Sequence, residues 1–290
     1  MSRITQKACV GALDPFRNIS TGVSNTAFSA IPATGAQPTT GVGTFEPDLA
    51  SMLGQKFDTS DGRELALVKN GAVAIPAATV VQCPAESTTV FKHLAMTVPA
   101  AYPATAGLFQ IKVTNGSTVL KVNEFAGGYV VVAAGTGLGQ CLKIASHEPA
   151  ANGATFIVTL EDPIQLTLDA TSTITLQYNL YDGVLTQVAS GSTQTGTPVG
   201  ISLYNLPAST AATYNGTTGK LTANGVAQYG LIVTHGPAAA TITTTTNIGY
   251  ALGISTTAGA LITTPSNYAT IASSIHTQTT TECGMVYLML

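Results

Sequence analysis

Short apolar runs, alternating or rich in β-branched residues, recur from residue 61 to the C-terminus. They include "ELALV", "FQIKVT", "YVVVA", "CLKIA", "ATFIVTL", "IQLTL", "STITLQY", "YGLIVT" and "MVYLML". Successive side chains of a strand point to opposite faces, so alternation marks a half-buried strand. Between the runs stand Asn-Gly at 70, 115, 152, 215 and 224 and Asp-Gly at 61 and 182. Such dipeptides suit hairpin turns whose central residues need positive φ. The pattern predicts an all-β chain of β-barrel or β-sandwich units built from hairpins, with an extended N-terminal arm. Two short helices are expected, one in "EPDLASMLGQKF" from Pro47 to about Gly54 and one in "SNYATIASSIH". No long amphipathic stripe exists.

The same pattern sets the expected organisation. Residues 1–60 hold no sustained period and read as the arm. Residues 61–199 read as one β domain ending in the polar stretch "ASGSTQTGTPVG", and 200–290 as a second β-rich domain. Inside the latter, "NIGYALGISTTAGALIT" and "TIASSIHTQTTTECGMVYLML" share a loose hairpin pattern.

Composition narrows the partners. Charged residues make up 9% of the 290, against about a quarter in ordinary soluble domains. Mean hydropathy is +0.31, yet no run nears the roughly 18 apolar residues of a membrane helix. Ten basic and eight acidic residues lie at or before Lys143, one basic and six acidic after it. Nucleic-acid binding needs clustered Lys and Arg, and neither half offers that. "MSRITQKACVGALDPF" lacks the apolar core of a secretory signal. Cys9, Cys83, Cys141 and Cys283 are scattered without a CxxC pair and read as free thiols of a reducing cytoplasm. Cys141 and Cys283 fall in strand-like runs and are expected in the core.

Candidate chemistry is sparse. "GTGLGQ" (135–140) looks like a phosphate loop, but Gln140 stands where a dinucleotide fingerprint needs its third glycine, and a strand rather than a helix follows. It reads as a turn between antiparallel strands. "DTSDGRE" (58–64) misses the calcium-loop pattern and reads as a turn into "RELALV". Glu161 and Asp162 would point to opposite faces of a strand. His93, His147, His235 and His276 lack metal or triad spacing and read as surface or turn residues. No enzyme, cofactor or metal site is expected.

Three stretches together resemble a known family. "GRELALVKNGAVAIPAATVVQCPA" (62–85), "FAGGYVVVAAGTGLGQCLKIASHEPAANGATFIVTLEDPI" (125–164), and "PVGISLYNLPAS" with "YGLIVTHGPAAATI" (198–242) are similar to structural proteins encoded beside the major capsid gene of tailed bacteriophages. The chain departs from that pattern in "YGLIVTHG", where Trp is common before the Thr-His. The resemblance implies a head decoration, or cement, protein on the outside of an icosahedral shell. Its partners would be the major capsid protein and identical copies, as a homotrimer. It would be located in the virion, assembled in the host cytoplasm, without nucleic acid or membrane. The alternative is a tail or fibre protein binding host glycans.

In that setting the arm becomes the candidate contact with the shell, through Arg3, Lys7, Arg17, Phe28 and Phe45. "FSAIPATGAQPTTGVGTF" can run extended because Pro and its preceding residue favour β or polyproline geometry. The arm could equally pack back on its own domains.

Overall fold

The computed structural model describes residues 52–85, 95–116, 118–211, 213–218, 220–223, 225–264, 269–279 and 282–290. These residues form an all-β structure without a helix. They divide into two units. One comprises the described part of Met1–Ala85 with Leu180–Thr210 and Val226–Leu290; the other is the described part of Glu86–Asn179 with Ala211–Gly225. The domain boundary expected at 199/200 falls inside a strand, and no single cut separates the units. The chain leaves the first unit, builds the second, and returns.

Numbered along the chain, the second unit contains β4 (Met96–Thr97), β5 (Gln110–Thr114), β6 (Tyr129–Ala134), β7 (Cys141–His147), β8 (Thr155–Leu160) and β9 (Thr173–Gln177), with the hairpin β12 (Thr213–Tyr214) and β13 (Leu221–Ala223). Strands β4-β5-β8-β7-β6-β9 close into a six-stranded barrel. Each pairing is antiparallel. The alternation read from the sequence becomes its core: Ile111 and Val113, Val130 and Val132, Leu142 and Ile144, Phe156 and Val158, and Ile174 and Leu176 are buried together. Closure removes the unpaired edges that would otherwise invite aggregation.

The first unit contains β1 (Lys56–Asp58), β2 (Glu64–Asn70), β3 (Val80–Gln82), β10 (Asp182–Thr186), β11 (Pro198–Ser202), β14 (Tyr229–Ile242), β15 (Ala251–Ile254), β16 (Leu261–Thr263), β17 (Ala272–Ser274) and β18 (Glu282–Met289). Its pairing returns on itself twice. One ring runs β2-β10-β3-β11-β14 and back to β2; the other runs β14-β16-β15-β17-β18 and back to β14. Each ring has one parallel pairing, β2 with β10 and β14 with β16. Strand β14 belongs to both. Its first half pairs with β2 and β11, its second half with β18 over eight residues.

Sharing one strand between two rings requires a switch in the middle. The register of β14 against β2 shifts between Val233 and His235. Before the shift Leu231 and Val233 enter the larger core of this unit; after it Ala238, Ala240 and Ile242 do. A bulge inserts one residue and so exchanges the faces of a strand. Gly236 sits at that point with φ +92°, and a Cβ there would meet Gly62 O at 2.6 Å and Arg63 Cα at 3.1 Å. Only glycine meets both demands.

Several sequence expectations change here. Residues 52–60 are not arm: β1 pairs with β2, and Met52, Leu53 and Phe57 pack on the core. Met52–Gly54 is a turn leading to a strand, and "SNYATIASSIH" contributes β17, so neither contains a helix over its described residues. Strand β17 forms because its partners β15 and β18 bury Ala272 and Ser274. "ASGSTQTGTPVG", a polar loop or linker by its sequence, is a loop up to the start of β11 at Pro198, and Gln82 and Gln187 hold it by bonding Thr195 and Gln194. The two stretches that share a hairpin pattern are hairpins, β15–β16 and β17–β18.

The turn dipeptides serve three different purposes. Gly62 and Gly153 take positive φ in turns between antiparallel neighbours. Gly183 takes it inside β10, where the register against β2 shifts. Asn70 instead ends β2 and Asn115 directly follows β5, both are buried, and they share one bonding pattern. Asn70 Nδ2 donates to the carbonyls of Val73, Leu206 and Pro207, while its Oδ1 accepts from Gly71 N. Asn115 Nδ2 donates to Thr118, Ala150 and Ala151, and its Oδ1 accepts from Gly116 N. Five residues further on, Ile75 bridges Leu206 and Leu120 bridges Ala150. Each unit thus fastens a loop to a distant segment with the same Asn-Gly latch.

Candidate interaction surface

The barrel alternates strand direction, so the loops 98–109 (β4 to β5), 135–140 (β6 to β7) and 161–172 (β8 to β9) lie at one end. That end is opposite the one where the chain enters at β4 and leaves after β9. Tyr102, Leu108, Phe109, Leu138 and Leu166 stand on these loops, each about half exposed or more, with Leu138 at 64%. Soluble surfaces seldom gather large apolar side chains without a reason.

Hydrogen bonds join the three loops into one surface. Gly107 N donates to Ile164 O at 2.8 Å and Ile164 N to Leu108 O at 2.9 Å. Gln140 Oε1 accepts from the amides of Gln165 and Leu166, and its Nε2 donates to Gly137 O and Leu166 O. Thr136 Oγ1 donates to Asp169 Oδ2 at 2.7 Å, and Ser172 Oγ donates to Thr136 O. The glycine-rich stretch is therefore the β6–β7 turn, as its sequence indicates. Gly135, at φ +77°, approaches so closely that a Cβ would lie 1.9 Å from Thr171 O. The turn carries Leu138 outward. Gln140, which spoils the dinucleotide fingerprint, is the residue that ties the turn to its neighbour.

The charges on these loops are Glu161, Asp162 and Asp169, with Lys112 and Lys143 on the adjoining strands. Lys112 Nζ lies 3.7 Å above the Tyr102 ring. Lys143 Nζ meets Glu161 at 2.8 Å, and its amide donates weakly to Asp162 at 3.4 Å. Glu161 and Asp162 follow β8 in a bend, so both reach Lys143 instead of facing apart as a strand would place them. Hydroxyl donation from Thr171 and Thr136 holds the Asp169 carboxyl below its usual range.

A second apolar surface lies on the first unit. The outward residues of β18 are Cys283, Met285, Tyr287 and Met289, opposite Thr241, Ala239, Pro237 and His235 of β14. Ile275 continues the Met285 row through its amide, which bonds Met285 O. His235 meets the Tyr287 ring edge-on, with centroids 5.4 Å apart. None of these residues is Asp, Glu, Lys or Arg.

The other candidate residues are placed as follows. Arg3, Lys7, Arg17, Phe28, Phe45, Cys9 and His93 lie outside the described residues. Cys83 is buried, accepting the Thr197 amide at 3.2 Å, whereas Cys141 and Cys283 are exposed free thiols rather than core residues. Both start or nearly start their strands on the outward-facing series. Among the described residues no three His, Cys, Asp or Glu gather to hold a metal. Neither a family model, nor a curated protein, nor a solved structure matches the chain.

His147 departs from the expectation of a surface histidine. It is buried at the end of β7, where Nε2 accepts the Phe125 amide at 2.9 Å and Nδ1 faces Glu148 O at 2.9 Å. Those partners require a neutral ring protonated on Nδ1. Burial lowers its pKa below the ordinary 6.5, against opposing effects of the Glu148 carbonyl and the Glu124 carboxylate. With the folded value below the unfolded one, the unfolded chain binds the extra proton first as pH falls. The stabilisation is thus complete above about pH 6.5 and is lost as pH falls towards the folded value. We expect barrel stability to decline between pH 7 and 5 in denaturant titrations, and His147→Gln to remove much of that slope. An unchanged slope in the variant would show that other groups cause it.

Proposed function

We propose that the chain is a virion structural protein that binds the outside of an icosahedral phage head and stabilises it, with the major capsid protein and its own copies as partners. The observation that carries this reading is the crown: large apolar side chains on three mutually fastened loops. Loops already held by hydrogen bonds lose little freedom on docking, which favours binding to a large surface. Asp162 and Asp169 on these loops favour a partner patch with basic groups. The resemblance of residues 62–85, 125–164 and 198–242 to capsid-associated proteins points the same way. The tail or fibre reading draws on the exposed aromatic rings, on which a sugar could stack. Tyr102 already carries Lys112 over one face, which leaves that platform half occupied.

The test adds purified protein to heads that lack it and counts bound copies by quantitative mass spectrometry. Wild type should saturate a fixed number of sites. Leu138→Asp with Leu166→Asp should bind at least tenfold more weakly while melting as wild type does. A chain without residues 2–45 in the same assay separates the arm's contribution from the crown's. Equal occupancy of the crown variant, or binding to glycans and not to heads, overturns the reading.

A further inference from the structure

We propose that Asn215–Gly216 is a site of self-modification, at which the Asn215 side chain loses ammonia and becomes aspartate or isoaspartate without an enzyme. The reaction needs an accessible asparagine carboxamide and an unhindered main-chain nitrogen on the next residue, with its proton free to leave. Glycine, which has no Cβ, supplies the unhindered nitrogen. Four Asn-Gly pairs lie among the described residues, at 70, 115, 152 and 215, and the structure separates them.

Three are held shut. Asn70 and Asn115 are buried, and each places Nδ2 on three carbonyls. Gly71 N donates to Val184 O and to Asn70 Oδ1, and Gly116 N donates to Asn115 Oδ1. Asn152 is exposed, but the nitrogen that would attack it, Gly153 N, donates to Gly116 O at 2.8 Å.

Asn215 differs at each atom the reaction uses. It is exposed in the turn between β12 and β13, and neither its Nδ2 nor Gly216 N has a partner among the described residues. A Cβ on Gly216 would meet nothing within 4 Å, so the turn is open there. Asn215 Oδ1 accepts the amides of Thr217 and Thr218, each at 2.9 Å. Those two donors draw charge from Cγ and stabilise the oxygen that turns negative when Cγ is attacked, as aimed N–H groups do in other acyl transfers.

The step consumes one water and releases one ammonia. Gly216 N gives its proton to solvent and bonds to Asn215 Cγ. The Cγ–Nδ2 bond breaks, and Nδ2 leaves with a proton as ammonia. The cyclic imide then takes up the water. Opening at Cγ gives aspartate; opening at the main-chain carbonyl gives isoaspartate and routes the chain through the former side chain. Either product adds a negative charge near Lys220, whose carbonyl accepts the Asn215 amide at 2.8 Å. The site does not depend on what the protein binds.

The experiment incubates the full folded chain at mildly alkaline pH in water enriched in oxygen-18 and reads it by peptide mass spectrometry. The heavy oxygen marks acid formed during the incubation, and hydroxylamine traps the imide. Asn215 should convert at least roughly tenfold faster than Asn152, while Asn70 and Asn115 remain amides. In denaturant the four pairs should convert at rates within a few-fold of one another. Gly216→Ala is compatible with the fold, since φ there is not positive and the space is open. It should slow conversion at Asn215 several-fold and leave Asn152 unchanged. Three outcomes overturn the proposal: Asn152 converting as fast as Asn215 in the folded chain, Asn215 converting only in denaturant, or a Gly216→Ala chain that keeps the wild-type rate.

Discussion

Gly236→Ala is expected to lower the stability of the two-ring unit by about 3 kcal/mol or more, through a strained φ and a backbone clash acting together. For a unit of this size that corresponds to a melting shift of roughly 6–12 °C. The cause is local. Alanine at φ +92° is strained, and its Cβ would press on the backbone of Gly62 and Arg63. The consequence reaches further because β14 is common to both rings. Either the bulge straightens, which turns Ala238, Ala240 and Ile242 away from the core, or β1 and β2 retreat. Amide exchange should accelerate in β14, β2 and β18 and stay unchanged in β5 to β8 of the barrel. Wild-type exchange throughout β14 would refute the assignment of the bulge as the switch between rings.

Asn115→Ala is expected to destabilise the barrel by about 2–4 kcal/mol, because it removes the buried hydrogen bonds to Thr118 O, Ala150 O and Ala151 O and the acceptor of Gly116 N, although Ala150 O and Ala151 O keep the amides of Leu120 and Ala154. Asn115→Asp is the sharper test. It preserves volume and the acceptor for Gly116 N, but a carboxylate cannot donate to Thr118, Ala150 or Ala151. It should cost as much as alanine or more. The corresponding changes at Asn70 should act on the other unit alone, since that latch closes on Val73, Leu206 and Pro207. Denaturant unfolding followed by exchange at Leu120 and Ile75 distinguishes the two. If aspartate at either position is tolerated like asparagine, the amide is not acting as a latch.

These residues also show how far the sequence could be read. Alternation in "YVVVA", "ATFIVTL" and "STITLQY" foretold strands, because one buried face imposes a period of two. Only "YGLIVT" of "YGLIVTHGPAAATI" read as a strand, and Gly-Pro normally punctuates a chain. Here the same dipeptide sits beside a bulge inside a 14-residue strand. Closure of the first ring and the return of the chain at Leu180 depend on pairings of β2 and β3 with β10, β11 and β14, more than a hundred residues away, which no local period records. The Asn-Gly signals all read as turns, yet those at Asn70 and Asn115 are latches. Only burial of the asparagine, known once Ile75 meets Leu206 and Leu120 meets Ala150, separates them. The crown left a fainter trace. Leu138 amid glycines, and Tyr102 and Leu108 in a run without alternation, are large apolar residues at loop positions with no core to enter; Phe109 read instead as the first apolar position of "FQIKVT" and stands one residue before β5 begins.

The proposal that the chain binds phage heads by its crown is tested most directly by locating it in a virion by cryo-electron microscopy. The account predicts six-stranded barrel density on the outer surface of the head, with the 98–109, 135–140 and 161–172 loops against the major capsid protein. Density for this chain in the tail or a fibre, or on the head with those loops facing solvent, would contradict it.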